Sequence, residues 1–199
     1  MPITANQVKE LRDRSGVGMM DCKKALVEAD GNIDKAFDLL RKSGIAKAQK
    51  KAGRNAKDGN VISYIHPGSK LGVLLELNCE TDFVSNTEEF KNLGNDIAMQ
   101  IAATSPAGVS RDDILEEDIN KEKEIFSDQA KSTNKPDAII EKMVEGRLNK
   151  YFKENVLLEQ DFVKDSSLTI NNLITNAISK LGENIVVNRF SRFQLGDKK

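Results

Sequence analysis

The chain has 199 residues with 30 basic and 31 acidic side chains, so its net charge is −1. This length allows one or two domains of roughly 100–200 residues each, and the balanced charge excludes a globally basic protein that coats nucleic acid. Two cysteines and one histidine are too few for a usual zinc site of four Cys or His ligands. With no Trp and only 5% aromatic residues, the chain has little with which to stack on bases.

The distribution of cysteines and apolar residues indicates where the protein works. Cys22 and Cys79 lie far apart in the sequence, which is typical of a reduced, intracellular protein. Five of the first fourteen residues are charged, so we find no export signal. No run of about 18 uncharged apolar residues is present to span a membrane. We therefore expect a cytoplasmic protein without a membrane partner.

The balanced total hides an uneven distribution of charge along the chain. Residues 1–57 contain 13 basic and 7 acidic residues, a net charge of +6, and the remaining residues carry −7. This split predicts two units with different surfaces.

The first unit, residues 1–44, is predicted to contain three short helices. Thr4 and Gln7 form a capping-box pattern at the first helix, and Ser15–Gly18 interrupts it. Asn32 is a suitable N-cap for the third helix, which we expect to end at Ser43–Gly44. Apolar residues recur at helical spacing in all three segments: Val8 and Leu11, then Cys22, Ala25, Leu26 and Ala29, then Ile33, Ala36, Phe37 and Leu40.

Two adjacent methionines, Met19 and Met20, open the second helix. Either they fill gaps in a small core, or they form an adaptable contact patch on the surface. Met19 can extend the apolar stripe of the second helix, whereas Met20 falls outside it.

Residues 45–57 are predicted to form a basic linker. No acidic residue occurs from Leu39 to Lys57, whereas seven Lys and Arg residues do. Three interpretations remain: a solvated linker or helix, a contact with an acidic protein, and an RNA contact. Because no aromatic residue lies between these charges, RNA is the weakest of the three.

Residues 58–199 are predicted to form an α+β core. Val61–Ile65 alternates like a half-buried strand, and a turn at 66–70 leads into the nearly continuous apolar run Leu71–Cys79, which favours a central strand. A helix is expected to start near Asn86, with Glu89 completing its capping pattern. Its buried face is expected to consist of Phe90, Leu93, Ile97 and Ile101. Further predictions are helices over 111–131, from Pro136 and over 170–181, an irregular segment over 157–163, and a last strand over 184–195. These elements suggest a small antiparallel sheet packed with helices.

We find no grouping of residues for catalysis. The motifs of P-loop enzymes, serine hydrolases and zinc peptidases are absent. His66 precedes Pro67 in a predicted turn, and both cysteines lie on apolar stripes, where buried thiols are inert. The chain is therefore predicted to be neither an enzyme nor a metal or cofactor protein.

The segment Thr81–Val84, here called the TDFV loop, lies between a buried strand and a helix start. One interpretation folds Phe83 back under the sheet while Asp82 bonds to backbone amides. The other makes Phe83 a protruding aromatic anchor, flanked by a carboxylate, that enters a pocket on a partner.

Two segments of the chain resemble the signatures of the translation elongation factor Ts family. The first is Ser15–Leu26 (SGVGMMDCKKAL) and the second is Asn78–Val84 (NCETDFV). The segment Gly182–Ile185, which leads into a predicted strand with Arg189 and Phe190, is also similar to the end of this family's sequences. After the first unit, the chain has room for one core copy only, so it resembles the short form of the family.

The resemblance implies a function and a partner. Family members are guanine-nucleotide exchange factors for the GTPase elongation factor Tu, and their three-helix unit is similar to a ubiquitin-associated domain that docks on the GTPase. Met19 and Met20 match docking positions, and we assign Leu11 and Lys23 to the same surface. Asp82 and Phe83 match the pair that enters beside the nucleotide and magnesium site, and Thr81 and Val84, which complete the motif, are assigned to the same partner contact.

Two other functions remain as alternatives. The three-helix unit alone could bind ubiquitin or a peptide, and the basic linker could bind RNA. Neither explains the TDFV loop, and we expect no direct contact with nucleic acid. A homodimer is possible for a chain with a single core copy, because a second copy would supply a second contact surface.

Overall fold

The computed structural model describes residues 3–132 and 135–197, and it confirms an α+β fold. The chain divides into two compact units. The first unit runs up to Val61 and includes Glu76–Gly94 and Asn172–Val186, and the second comprises Ile62–Leu75, Asn95–Asn171 and the chain from Val187 onward. The predicted domain boundaries, 1–44, 45–57 and 58–199, stay predictions. A division by compactness does not show which segments act together on a partner.

The three helices predicted for residues 1–44 are present. They are α1 (Ala5–Ser15), α2 (Met19–Glu28) and α3 (Ile33–Lys51). Thr4 and Gln7 form the predicted capping box, and Asn32 accepts a hydrogen bond from the amide of Lys35 at 2.9 Å. The apolar stripes meet in one core: Val8, Leu11, Cys22, Ala25, Leu26, Ala29, Ala36 and Leu40.

Helix α3 does not end at Ser43–Gly44, so that prediction is wrong. It continues to Lys51, and most of the predicted basic linker is therefore helical. Gly44 is buried, and a Cβ built on it would lie 3.2 Å from Oγ of Ser179. This glycine serves close packing rather than helix termination.

The strands and their pairing match most of the predicted core. The strands are β1 (Asp58–Ile65), β2 (Leu71–Cys79), β3 (Asp161–Phe162), β4 (Asp165–Thr169) and β5 (Val186–Gln194). The larger sheet has the order β1–β2–β5, so β2 is central as predicted. The amide of His66 donates to the carbonyl of Leu71 at 2.9 Å and closes the predicted hairpin.

The small antiparallel hairpin β3–β4 was not predicted. The segment 157–163 was expected to be irregular, but Asp161 pairs with Thr169 and Phe162 with Asp165. A two-residue strand is too short to show an alternating pattern, which explains the omission.

The remaining helices follow the strands in the predicted order. They are α4 (Asp82–Ser85), α5 (Glu88–Thr104), α6 (Glu116–Lys131), α7 (Asp137–Asn155) and α8 (Ile170–Leu181). The prediction that Asn86 caps α5 with Glu89 is wrong, because the hydroxyl of Thr87 accepts from the amide of Phe90 at 3.3 Å. No helix within the described ranges has the length and apolar character needed to cross a bilayer.

Candidate functional site

Phe83 projects from the protein surface. Its side chain is 85% exposed, the highest value among the exposed large apolar residues of the described chain. Asp82, the residue before it, is also exposed. The interpretation in which Phe83 folds back under the sheet is therefore wrong.

The opposite side of the TDFV loop is anchored. Val84 and Ser85 are buried, with 7% and 3% of their surface exposed. The Ser85 hydroxyl donates to the carbonyl of Asp82 at 3.0 Å, and the side-chain amide of Asn60 donates to the carbonyl of Ser85 at 2.6 Å. Short helix α4 thus holds Phe83 outward on a fixed backbone. The assignment of Val84 to the partner contact is corrected, because this buried side chain supports the loop from beneath.

The residue before α4 is held by a carboxylate from a distant part of the chain. Glu183 accepts hydrogen bonds from the amide of Glu80 at 3.1 Å and from the amide of Thr81 at 3.0 Å. It also accepts one from the Thr81 hydroxyl at 2.6 Å. The Thr81 side chain is therefore engaged within the protein and does not cap α4.

Cys79 supports the same segment from beneath. Its thiol is fully buried and donates to the carbonyl of Thr81 at 3.1 Å. Burial, and to a smaller extent the negative charge of Glu183, raises the pKa of Cys79 from 9.0 to about 11. The thiol therefore stays protonated at neutral pH, as a hydrogen-bond donor must, and it is the inert buried group that the sequence predicted.

Helix α2 presents an exposed apolar patch. Met19 and Met20 are 57% and 68% exposed, which excludes the core-filling interpretation for both. A shallow hollow beside them is lined by Met20, Lys23, Lys24, Val27 and Glu28. Val27, 59% exposed, was not predicted, although its spacing of seven residues from Met20 places it on the same helical face. We call Met19, Met20, Lys23 and Val27 the docking face, after the role that the sequence predicts for this helix.

Leu11 does not belong to the docking face. It has no exposed surface and lies in the core of the three-helix bundle. The assignment of Leu11 as a direct contact is therefore corrected, because a fully buried side chain can affect a partner only through the packing of α1.

His66 is exposed in its turn, with Nδ1 3.0 Å from the hydroxyl of Tyr64. Among the described residues, no group of three or more His, Cys, Asp and Glu side chains is placed to hold a metal ion. What the site offers is an apolar anchor and a separate apolar patch, both of which suit a protein partner.

Comparison with known proteins identifies the family. The family model for elongation factor Ts matches residues 42–197. The chain belongs to the elongation factor Ts family. An elongation factor Ts from Fervidobacterium nodosum is 56% identical over 197 residues, covering 99% of this chain and all of the relative. Relatives of the same name from Caldanaerobacter subterraneus and Thermosipho melanesiensis are 55% and 56% identical, each covering 98% of this chain and 98% and 100% of the relative.

These matches confirm the family that the two signatures predicted, and with it the function of guanine-nucleotide exchange on elongation factor Tu. The relatives are matched over essentially their whole length, which agrees with the short form having one core copy. The family model begins at residue 42, but the relatives also cover the bundle that carries the docking face.

Proposed function

We propose that this chain accelerates GDP release from elongation factor Tu by inserting Phe83 beside the bound nucleotide and its magnesium ion. The single observation that supports the proposal is the outward-pointing, 85% exposed ring of Phe83 on a backbone held by buried neighbours. An exposed aromatic side chain on a rigid support is a typical anchor for a protein pocket.

The proposed mechanism requires no acid, base or metal from this chain. If the factor binds the nucleotide-free GTPase more tightly than the GDP-bound form, linkage requires GDP to bind more weakly when the factor is bound. A 100-fold weakening corresponds to about 2.7 kcal/mol of coupling, within the usual range. Burying a phenylalanine side chain contributes about 1.5–3 kcal/mol, so one anchor is of the required size.

Asp82 adds an electrostatic contribution to this mechanism. Its exposed carboxylate precedes Phe83 in the first turn of α4. When Phe83 enters the partner, this negative charge comes close to the phosphates and the magnesium ion. A carboxylate repels phosphate and attracts magnesium, and both effects weaken the hold of the GTPase on its nucleotide.

We assign the docking role to α2 and propose that the three-helix bundle is a domain of the ubiquitin-associated type. The exposed side chains of the docking face supply apolar area, and Lys23 and Lys24 supply positive charge at its edge. This surface suits an apolar patch with acidic residues around it on the nucleotide-binding domain of the GTPase. Such a role places the protein in the cytoplasm, where translation takes place.

The test is release of a fluorescent GDP analogue from purified elongation factor Tu, with and without this chain, in excess unlabelled GDP. We expect the release rate to rise steeply with chain concentration and then to saturate. An unchanged release rate at saturating concentration would refute the proposed function.

The RNA-binding alternative is weakened by the contacts of the basic segment. Lys47 pairs with Asp21 at 2.8 Å, Arg54 lies 3.6 Å from Glu80, and Lys51 donates to the carbonyl of Gly182. Three of the seven positive charges are therefore engaged within the protein. Binding to RNA at 50 mM and 200 mM salt distinguishes the two functions, because RNA binding through many phosphates falls steeply with salt.

We also propose that the chain forms a homodimer through one face of the larger sheet. Four exposed apolar side chains lie along one groove of the second unit: Ile65, Leu74, Phe193 and Leu195, between 48% and 76% exposed. Exposed apolar patches of this kind mark interfaces. Sedimentation equilibrium at micromolar concentration should give twice the chain mass, and Leu74→Lys should give a monomer. A monomeric wild-type chain would contradict this proposal.

A further inference from the structure

Two acidic side chains connect segments about 100 residues apart in the chain. Glu183 accepts from the backbone amides of Glu80 and Thr81, and the carboxylate of Glu80 accepts in return from the backbone amide of Asn184 at 2.7 Å. Each glutamate thus bonds to the backbone beside the other. We call Glu80, Glu183 and Asn184 the clamp.

The clamp also reaches the end of helix α3. The side-chain amide of Asn184, which is 3% exposed, donates to the carbonyl of Arg54 at 2.8 Å and to that of Ala52 at 3.5 Å. The guanidinium of Arg54 lies 3.6 Å from the carboxylate of Glu80. The last residues of the bundle and the first residue of the TDFV loop are therefore joined through a few side chains.

The position of Gly182 makes this arrangement possible. Gly182 ends α8 with φ +81°, a left-handed conformation that favours glycine. Its amide donates to the carbonyl of Ile178 at 3.0 Å, and the chain then turns so that Glu183 and Asn184 face the segment that begins at Glu80.

We propose that Glu183 is a positioning residue for nucleotide exchange, which acts by fixing the TDFV loop relative to the docking face. The inference rests on the proposed function. Docking through α2 and insertion of Phe83 occur on the same partner molecule, so the two contacts must be presented at a fixed separation. A loop that is already ordered avoids the entropic cost of ordering on binding, and small misplacements of a working group reduce rates strongly.

This proposal gives Thr81 a different role from the one that the family motif implies. Its hydroxyl and amide both bond to Glu183, at 2.6 and 3.0 Å. Thr81 is therefore part of the attachment of the loop, whereas Asp82 and Phe83 are the residues free to contact the partner.

The test compares Glu183→Ala with Glu183→Gln in the GDP-release assay, at increasing concentrations of the exchange factor. A glutamine can present its oxygen to the two backbone amides and its NH₂ group to the Thr81 oxygen, so it preserves the geometry without the charge. We expect Ala to lower the maximal release rate about tenfold while the half-saturating concentration changes less than twofold. We expect Gln to stay within twofold of the wild type. Thr81→Val, which removes one of three bonds, should lower the rate about threefold.

Glu159→Ala is the matched control. Glu159 accepts two hydrogen bonds from Arg111, at 2.5 and 2.7 Å, in the second unit. Its loss should lower the melting temperature by an amount similar to the loss of Glu183 and leave exchange unchanged. Amide hydrogen exchange, read by mass spectrometry, supplies a second measurement: peptides containing Glu80 and Thr81 should exchange faster in Glu183→Ala than in the wild type or in Glu183→Gln.

The outcomes separate the clamp from the proposed function. If the wild type does not accelerate release, the proposed function fails. If the wild type is active and Phe83→Ala is slow, but Glu183→Ala is as fast as Glu159→Ala, the clamp has no positioning role. If Gln is as slow as Ala while its amides stay protected, Glu183 acts through its charge, and the positioning role is again refuted.

Discussion

Replacing Phe83 with alanine should slow stimulated GDP release strongly without affecting the fold. Because the ring is 85% exposed in the free protein, almost all of its surface is available for burial against the partner. Burying a phenylalanine side chain contributes about 1.5–3 kcal/mol, which corresponds to about 10- to 150-fold in rate if this contact forms only as GDP leaves. An exposed side chain contributes little to folding, so the free energy of unfolding should change by less than about 0.5 kcal/mol.

The assay is stopped-flow release of the fluorescent GDP analogue at saturating exchange factor, with circular dichroism to verify the fold. Leu115→Ala is the control, because Leu115 is also a large apolar side chain, 68% exposed, but lies in the second unit before α6. It should release GDP at the wild-type rate. A Phe83→Ala protein that matches the wild-type maximal rate would show that the ring is not the group that displaces the nucleotide.

Three further predictions concern other parts of the molecule. The double change Met19→Asp with Met20→Asp should raise the half-saturating concentration of the exchange factor at least tenfold with a smaller effect on the maximal rate, and an unaltered value would remove both residues from the docking face. Asn184→Ala should lower the melting temperature by several degrees, because it leaves the carbonyl of Arg54 without its donor; differential scanning calorimetry measures this. Folding raises the pKa of Cys79 from 9.0 to about 11, so the folded state binds the thiol proton more tightly than the unfolded state does. The contribution of this proton to the free energy of unfolding is complete below pH 9 and is lost as the pH rises towards 11. Between pH 8 and 10 the wild type should therefore lose about 1 kcal/mol more than Cys79→Ser in urea unfolding, and equal losses would contradict the shift.

The sequence was sufficient to predict elements whose pattern is long and regular. Strand β2 is nearly continuous in apolar residues and lies at the centre of its sheet, and α8 has the predicted bounds because its apolar residues repeat over three turns. Caps with a local hydrogen bond, such as Thr4, were also predictable, since the donor lies three residues from the acceptor.

What the sequence could not show depends on interactions between distant residues. Gly44 has the character of a helix terminator, and only the fold shows that it lies inside α3, where it packs close to Ser179. The sequence shows the positive charges of Lys47 and Arg54 but not their acidic partners, Asp21 and Glu80, which lie far from them along the chain.

The candidate site shows the same division between local and distant information. The TDFV loop and the two methionines were found from local motifs and their resemblance to a family. The attachment of that loop to Glu183 was not, because no local pattern relates two residues about 100 positions apart. The burial of Leu11 likewise follows from the packing of three helices and not from its own position in α1.

The continuity of α3 has a consequence for how this protein tolerates changes in length. A flexible linker accepts an added or deleted residue at little cost, but in an α-helix each residue advances the chain by about 1.5 Å and rotates it by about 100°. One inserted residue near Ala46 would turn the last part of α3, with Lys51 and the following Arg54, away from the segments that they contact. The segment between the bundle core and the clamp is therefore constrained in its number of residues as well as in their chemistry.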